Sequence, residues 1–409
     1  MNCANIISVI MAWVMSLTML SGCKKEKPDE PHPSQNGITT IDNGKMREDM
    51  TANDYAKELG IGINLGNTME ASYQNLDRAT TGCSVIGNDT PLDYERCWGA
   101  IETTQDIIDG MAAEGFNTVR IPVYWGNMMA DDGTFTINPT YFNRVEELIN
   151  YCRNNGLYVV INIHHYDEYI IKHYAREDAV NIAKTLWTQI AQRYAEYSDY
   201  LIFEGYNENL GSSCEGANLS EDELFSYVNE MNQTFVDAVR ATGGNNAQRL
   251  LIVSGYWTNI DKTTDARFVM PDDTAENRLM VSVHYIDNAM YWTNRIGGQE
   301  WLDYSRAQCE LLKNAFTDKG IPVFVGECTA IYEESRFAGN ATVTESTQAL
   351  KTIMDMCGEY GFVPVLWDVC NNFYSRRLCR ISNDSDRALI HEIAGVPEQP
   401  ETQSAASAA

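Results

Sequence analysis

The sequence predicts an α/β fold of the (β/α)8 TIM barrel class, formed as a single domain over residues 50–397. Short apolar runs alternate with amphipathic segments throughout this region, which indicates a parallel sheet with helices on its faces. The runs number eight, as a closed barrel requires. Polar side chains gather where the runs end, which is where a barrel places the residues of its functional face.

The eight predicted strands are apolar at nearly every position, as is typical of strands covered on both faces. They are Ile61–Leu65, Thr118–Pro122, Leu157–Ile163, Leu201–Tyr206, Arg249–Val253, Leu279–Val283, Ile321–Val325 and Val363–Leu366. Because a doubly wound open sheet shares this alternation, it is the alternative architecture. No Gly-x-Gly-x-x-Gly follows the first run, so dinucleotide binding has no support.

Helical periodicity fills most of the gaps between these strands. The predicted helices are Thr103–Glu114, Tyr141–Asn155, Ala179–Tyr194, Glu221–Thr242, Trp301–Lys319 and Ser346–Gly361. Glycines at or just after several helix ends supply the expected C-terminal stop. Residues 261–278 have little helical pattern, so the fifth repeat is predicted to be irregular.

The composition favours a large acidic globular protein. The chain has 409 residues, of which 44% are hydrophobic, and 30 basic against 57 acidic residues give a formal charge of −27. That charge argues against a nucleic-acid partner and against binding to an anionic membrane surface. A neutral polysaccharide remains compatible, because its recognition needs no charge complementarity.

The N-terminus resembles an export signal. Ile6–Leu20 is an uncharged apolar stretch too short for a comfortable membrane span, and it leads to Leu20-Ser21-Gly22-Cys23, which is similar to the lipobox of bacterial lipoproteins. We therefore expect a signal peptide over 1–22, a lipidated tether over 23–49 and a disordered tail over 398–409. The protein is then exported and touches the membrane only through its lipid anchor. No Lys or Arg precedes the apolar run, which departs from the usual signal.

The chain has eleven cysteines. Cys3 falls in the signal and Cys23 would be lipidated, so nine remain and at least one of them is unpaired. Export permits disulfides, and Cys83–Cys97 and Cys370–Cys379 are the candidate pairs. No Cys-x-x-Cys motif or Cys/His cluster suggests a zinc site.

Seven of the eight strands carry polar or aromatic residues at or just past their ends. In strand order these are Asn67 and Glu70, Arg120, His164 and His165, Asn207 and Glu208, His284 and Tyr285, Glu327, and Trp367. Any one of them could be a surface or core residue, but the repetition indicates a shared site. Two strand-ending glutamates, Glu208 and Glu327, suggest glycoside hydrolysis, which uses a paired acid and nucleophile. We also predict no other metal and no organic cofactor, because hydrolysis by paired carboxyl groups needs neither.

Four motifs resemble glycoside hydrolase family 5, the cellulase family. They are Gly-Ile-Asn-Leu-Gly-Asn-Thr-Met-Glu at 62–70, Val-Arg-Ile-Pro-Val at 119–123, Ile-Asn-Ile-His-His at 161–165 and Leu-Ile-Phe-Glu-Gly-Tyr-Asn-Glu at 201–208. The Phe-Glu-Gly before Asn-Glu is most similar to subfamily 4, which contains endoglucanases and xyloglucanases. The resemblance covers residues 50–395. It implies a (β/α)8 barrel and a hydrolysis that retains the anomeric configuration of the sugar.

The resemblance also implies the role of each site residue. Glu208 matches the general acid/base and Glu327 the nucleophile. A fixed cation favours the ionised form of a carboxylate, and Arg120 matches the residue beside the nucleophile. We expect Glu208 to hold its proton more tightly, because Glu327 places a like charge nearby. Asn207 matches the amide that holds the sugar 2-hydroxyl.

The remaining residues are expected to bind substrate. His164, His165 and His284 match positions in the cleft, Trp367 matches the platform under the sugar beside the scissile bond, and Tyr285 and Asn67 complete the predicted set. Four aromatic residues past strand ends could add subsites or pack in the core: Trp125, Tyr166, Trp257 and Trp292. Glu204 lies within a strand and is predicted to pair inside the barrel.

Two positions depart from the family pattern. Asn209 follows Glu208, where the family usually has proline. The sixth strand has Ile286 at the position of a tyrosine that contacts the nucleophile. Tyr285 is adjacent but would point the other way on a regular strand, so it can replace that tyrosine only if a bulge or local turn reorients it.

These features favour a retaining endo-β-1,4-glucanase that acts on cellulose-like or xyloglucan-like chains and works as a monomer. One alternative keeps the barrel and changes the substrate to mannan, mixed-linkage glucan or xylan, because specificity resides in the loops. Another is a surface glycan-binding protein without catalysis, which the missing tyrosine at Ile286 keeps open.

Overall fold

The computed structural model describes residues 32–33, 39–73, 89–130, 132–211, 218–338, 345–369 and 372–397. Eight parallel strands form a closed barrel in which each pairs with its neighbours in chain order. The strands are β1 (Gly62–Asn64), β2 (Thr118–Ile121), β3 (Tyr158–Ile163), β4 (Leu201–Tyr206), β5 (Leu251–Ser254), β6 (Leu279–His284), β7 (Val323–Thr329) and β8 (Val363–Trp367). The barrel prediction is confirmed, and the open-sheet alternative is wrong.

Helices surround the barrel. They are α1 (Ala52–Leu59), α2 (Pro91–Arg96), α3 (Gln105–Ala113), α4 (Pro139–Asn154), α5 (Tyr166–His173), α6 (Arg176–Arg193), α7 (Glu221–Ala241), α8 (Ile260–Thr263), α9 (Asn288–Trp292), α10 (Gly298–Ala315), α11 (Ser346–Tyr360) and α12 (Asp384–Ala394). All six predicted helices are present, with ends shifted by a few residues. The fifth repeat is irregular, since only the four-residue α8 joins β5 to β6 as a helix.

Local sequence explains where the long helices begin and end. At the start of α7 the Ser220 hydroxyl accepts a hydrogen bond from the Glu223 amide, and the Glu223 carboxylate accepts one from the Ser220 amide. At the end of α11, Gly361 adopts φ 71°, a left-handed conformation that glycine reaches without steric cost. Short antiparallel strand pairs lie outside the barrel at 32–33 with 39–40 and at 374–375 with 380–381.

The barrel interior is apolar at its amino end and polar at its carboxyl end. Inward-facing residues of the strands, including Val160, Ile202 and Phe324, form one buried cluster with Tyr55 and Leu59 of α1, which closes the amino end. Two residues further along the strands the inward positions are polar. They are Asn162, Glu204 and Ser282, and all are buried. The strand period of two therefore places a polar layer directly below the carboxyl-end loops.

Residues 40–49, which the sequence assigned to the tether, pack against the amino end of the barrel. Thr40 and Asp42 are buried, and Asp42 accepts hydrogen bonds from Arg153 Nε at 2.8 Å and from the Ser198 amide at 2.7 Å. Arg47 Nε donates to Asp199 at 2.7 Å. The packed domain thus starts ahead of residue 50.

Several predictions concern residues outside the described ranges. These are the signal peptide 1–22, the first part of the tether, the tail 398–409 and one cysteine of each candidate disulfide, Cys83 and Cys370. Among the described residues no helix is both long enough and apolar enough to cross a bilayer.

Candidate active site

A cleft of about 540 Å³ opens at the carboxyl end of the barrel. Its lining comes from the ends of β3 to β8 and the loops that follow them. The lining residues are His164, His165, Asn207, Glu208, Trp257, Thr258, Asn259, His284, Tyr285, Asn288, Trp292, Glu327 and Trp367. Both strand-ending glutamates therefore share one cavity.

Glu208 and Glu327 face each other across this cleft. Glu208 lies just past β4 and its side chain is 30% exposed, whereas Glu327 lies within β7 and its side chain is 6% exposed. One oxygen of each carboxylate and a ring nitrogen of His284 all lie within 4.8 Å of one another. An approach this close fits the paired carboxyl groups of retaining glycosidases, which lie about 5–5.5 Å apart.

Arg120 holds the floor of the site through a buried network. Its guanidinium is fully buried and donates to Glu204 at 2.6 Å, to Asn64 and Asn207 at 2.9 Å each, and to Glu327 at 3.3 Å. Its shortest bond goes to Glu204, so the predicted pairing of Glu204 inside the barrel is confirmed. The charges of both glutamates outweigh the effect of burial and raise the pKa of Arg120.

Glu204 also accepts hydrogen bonds from two further residues of the layer. Asn162 Nδ2 and Ser282 Oγ each donate to it at 3.0 Å, and together with Arg120 they occupy both of its oxygens. Gly326 leaves room for this arrangement, since a Cβ there would lie 3.0 Å from Ser282 Oγ and 3.3 Å from a Glu204 oxygen. The layer therefore fixes Arg120, which in turn holds Glu327 and Asn207.

Tyr285 replaces the tyrosine that is missing at position 286. Its hydroxyl donates to Glu327 Oε2 at 3.0 Å, while Ile286 is buried in the core. The β6–β7 pairing shifts by one residue between Val283 and His284, and Tyr285 has φ 47°. The bulge and the left-handed turn together rotate the side chain into the cleft. Burial and the charges of both glutamates raise the pKa of Tyr285, so its phenol stays protonated and donates.

The protonation of Glu208 differs from the expectation. Burial raises the pKa of Glu208, but the hydrogen bond and charge of His284, whose Nδ1 lies 3.1 Å away, outweigh it and lower the pKa. The prediction that Glu208 holds its proton more tightly is therefore wrong for the free protein. His284 Nδ1 also lies 3.5 Å from Glu327, so one imidazole faces both carboxylates.

His164 and Trp367 form one wall of the cleft. Their rings are parallel within 6° with centroids 6.0 Å apart. Burial, then the charges of His165, Arg120 and His284, lower the pKa of His164 far below its usual range, so the ring is neutral. A flat pair of this kind offers an apolar face beside hydrogen-bonding atoms, which suits a sugar ring.

Comparison with known proteins decides the family. The family model for cellulase (glycosyl hydrolase family 5) matches residues 76–373. The chain belongs to glycosyl hydrolase family 5.

Curated endoglucanases are similar to this protein over most of the chain. The Endoglucanase 1 of Ruminococcus albus is 30% identical over 90% of this chain and 90% of its own length. A xyloglucan-specific endo-β-1,4-glucanase of Bacteroides ovatus is 30% identical over 82% of this chain and 68% of its own length.

Solved family 5 structures superpose well on this fold. A broad-specificity endoglucanase of subfamily 4 from Ruminococcus champanellensis, with bound cellotriose, has TM-score 0.72 and 28% identity over 85% of this chain and 99% of that one. A Bacteroides ovatus xyloglucanase in complex with a XXXG heptasaccharide has TM-score 0.73 and 28% identity over 89% of this chain and 80% of that one.

Eight of the ten predicted site residues of this family 5 protein line the cleft, and Arg120 lies directly beneath it. Asn67 is the exception. Its backbone has φ 53° and its amide donates to Glu70, which places it in a tight turn after β1 rather than in the cavity lining. Of the four uncertain aromatic residues, Trp125 and Tyr166 are fully buried in the core, whereas Trp257 and Trp292 line the cleft.

Sequence reasoning missed several polar members of the site. Thr258 and Asn259 line the cavity from the segment between β5 and α8, and Asn288 lines it from the start of α9, where the sequence has no strand-end pattern. Ser282 could have been found, since it lies two residues before His284 on one strand and so faces the same side. Glu208, His284 and Glu327 are the one group in the described ranges whose donor atoms are close enough to hold a metal ion. His284 contacts both carboxylates, at 3.1 Å from Glu208 and 3.5 Å from Glu327, so the three side chains already partner one another.

Proposed function

We propose that this protein is a retaining endo-β-1,4-glucanase that hydrolyses internal bonds of cellulose-like or xyloglucan-like β-glucans. The observation that carries the proposal is the short separation of Glu208 and Glu327 in one cleft. The endoglucanases and the xyloglucanase among its relatives support the substrate class.

Each carboxylate has its own step in this proposal. Glu327, held by Arg120 and Tyr285, attacks the anomeric carbon, and Glu208 gives its proton to the leaving oxygen. A water molecule then attacks the glycosyl-enzyme intermediate while Glu208 takes its proton, and Glu327 leaves. Two displacements at one carbon retain its configuration. Asn207, fixed by Arg120, is placed to bind the 2-hydroxyl, a contact that strengthens in the transition state.

Tyr285 argues against the non-catalytic alternative. That alternative depended on the lack of a tyrosine beside the nucleophile, and the Tyr285 hydroxyl fills that position at 3.0 Å from Glu327. A protein that only binds glycans has no need of a buried carboxylate in its cleft, because burying a charge is costly even when it is paired.

One assay panel tests the activity. Reducing-sugar release is measured on soluble cellulose derivatives, xyloglucan, mixed-linkage glucan, mannan and xylan, and the product anomer is followed by NMR from the first minutes. We expect β-anomeric product from a β-glucan. Glycan binding without any release of reducing sugar would refute the proposal. Activity restricted to mannan or xylan would show that the substrate is that polymer instead of a β-glucan. Initial α-anomer would refute the retaining mechanism.

We further propose that the protein is a monomer, exported and anchored by a lipid on Cys23 in the cell envelope. The lipobox-like Leu20-Ser21-Gly22-Cys23 supports anchoring. Metabolic labelling with a radioactive fatty acid should label the wild type and not Cys23→Ala, which should also leave the membrane fraction. Equal labelling of both proteins would contradict the anchor. Light scattering of the protein lacking residues 1–39 would test the monomer.

A further inference from the structure

The carboxylate of Glu208 has fewer hydrogen-bond donors around it than that of the nucleophile. Arg120 and Tyr285 both donate to Glu327. Among the residues that the structure describes, the Glu208 carboxylate has one hydrogen-bonded side-chain partner, His284, at 3.1 Å. A general acid must nevertheless keep its carboxyl group within hydrogen-bond reach of the leaving oxygen. The backbone that carries Glu208 must therefore supply much of its positioning.

Two hydrogen bonds hold the backbone on either side of Glu208. The Thr258 hydroxyl donates to the Asn207 carbonyl at 2.5 Å. The Trp257 amide donates to the Asn209 carbonyl at 2.6 Å. Because a peptide unit is planar, the bond to the Asn207 carbonyl also fixes the backbone nitrogen of Glu208. Asn209 stands where the family usually has proline, whose ring would restrict the backbone at that position. The two donors restrict the same segment from a neighbouring loop.

Both donors belong to residues in a strained backbone conformation. Trp257 has φ 59° and Thr258 has φ 48°, and Thr258 is fully buried. A left-handed backbone is uncommon for any residue except glycine and is an outlier for a β-branched residue such as threonine. Strain of this kind persists only where the surroundings enforce it, and it concentrates at functional sites. Here it brings an amide and a hydroxyl of consecutive residues to the two carbonyls that flank the acid/base.

The loop that carries these donors is anchored to the helices behind it. Asn232 of α7 donates through Nδ2 to the carbonyl of Ser254, the last residue of β5, at 2.8 Å. Gly255 packs so closely against α8 that an added Cβ would lie 2.5 Å from the Thr263 hydroxyl oxygen and 2.7 Å from the Thr263 Cα. Both contacts fix the chain just ahead of Trp257. The two donors therefore extend from a segment that the outer helices hold in place.

We propose that the loop of residues 255–258 positions the acid/base, with Thr258 as the positioning residue that fixes Glu208 through the Asn207 carbonyl. Thr258 acts through the backbone and not on the reacting atoms, because its hydroxyl proton is engaged with that carbonyl. This inference rests on the proposed glucanase function. It makes protonation of the leaving oxygen, and not attack by Glu327, the event that depends on the loop.

Two substrates that differ only in their leaving group separate this role from a general effect on activity. Phenolate is a poor leaving group and needs the proton of Glu208, whereas 2,4-dinitrophenolate leaves without it. For Thr258→Val we expect kcat/KM on phenyl β-cellobioside to fall about three- to tenfold, the size of one hydrogen bond between neutral groups. On 2,4-dinitrophenyl β-cellobioside kcat/KM should change by less than about twofold, since that reaction needs no general acid. Thr258→Ser keeps the hydroxyl and should keep most of the activity on both.

Thr118→Val is the matched control. The Thr118 hydroxyl is equally buried and also donates to a backbone carbonyl, that of Leu59 at 2.7 Å, but at the amino end of the barrel. This variant should leave the ratio of the two kcat/KM values unchanged, whatever its melting temperature. Thr258→Ala removes the same hydroxyl without the second branch of valine, so it should show the same selective loss even if Thr258→Val folds poorly.

The outcomes distinguish the inference from the proposed function on which it rests. Equal losses on the two substrates in the folded Thr258→Val or Thr258→Ala variant, or no loss on either, would overturn the positioning role. A loss in Thr258→Ser as large as that in Thr258→Val would also overturn it, because the hydroxyl would then not be the group that matters. Failure of the wild type on both substrates would instead refute the proposed function.

Discussion

The hydrogen bond from Tyr285 to Glu327 gives the sharpest test of the mechanism. Tyr285→Phe removes one hydroxyl, whose oxygen lies 3.0 Å from the carboxylate, and leaves the ring and its packing in place. A hydrogen bond to a charged group contributes about 1.5–3 kcal/mol. If the bond is needed to hold the nucleophile in its attacking position, kcat/KM should fall roughly 10- to 150-fold.

The assay is kcat/KM on β-cellobiosyl fluoride, which reports attack by Glu327 without help from the acid. Tyr360→Phe is the matched control: its hydroxyl also donates to a carboxylate, that of Glu310 at 2.7 Å, but at an exposed position far from the cleft. Thermal melting of both variants shows whether the fold is kept. Activity of Tyr285→Phe within twofold of the wild type, with the fold intact, would refute the role assigned to this residue.

Three further variants test other parts of the structure. Glu327→Gln should abolish turnover and keep glycan binding and the melting temperature; normal activity would sink the nucleophile assignment. Glu204→Ala leaves the buried Arg120 without its closest charge partner, so the free energy of unfolding should fall by about 3–5 kcal/mol in urea titrations, and a loss below about 1 kcal/mol would contradict the network. Burial raises the pKa of Asp42, but the charge and hydrogen bond of Arg153 and the hydrogen bonds of a neighbouring serine outweigh it, so its folded pKa is lowered. The stability from this carboxylate is then present above about pH 4, the unfolded value, and is lost as pH falls through the lower folded pKa. Asp42→Asn should therefore lower stability by roughly 2 kcal/mol at pH 7 and progressively less below pH 4, whereas a difference independent of pH would exclude the ion pair as its source.

The barrel and its two glutamates could be predicted because their signals are local. A buried parallel strand is an uninterrupted apolar run, and a carboxylate at its end needs no knowledge of its neighbours. Glu204 was also predictable in kind, since a charge inside such a strand must find a partner. The partner, Arg120, lies 84 residues away in the sequence. Only the closed barrel brings the two side chains together, so the sequence did not identify it.

The position of Tyr285 could not be predicted, because it depends on the register between two strands. On a regular strand its side chain would face outward, and the one-residue shift opposite Gly326 together with φ 47° reverses it. The sequence shows that Tyr285 needs a bulge or a turn to face the cleft, but it does not show whether one forms. The prediction for the pKa of Glu208 failed for a related reason. The like charge of Glu327 was anticipated, but the contact with His284, which lies on another strand 76 residues further along the chain, was not.

The attachment of residues 40–49 to the amino end of the barrel determines how a tethered molecule would be presented. Arg47 donates to the Tyr158 hydroxyl at 2.5 Å and its carbonyl accepts from Arg278 at 3.1 Å, and both partners stand where their strands begin. The chain therefore joins the domain at the pole opposite the cleft. If the protein is anchored through its N-terminus, as proposed, the anchored chain enters the domain at the end of the barrel away from the cleft and does not cover it.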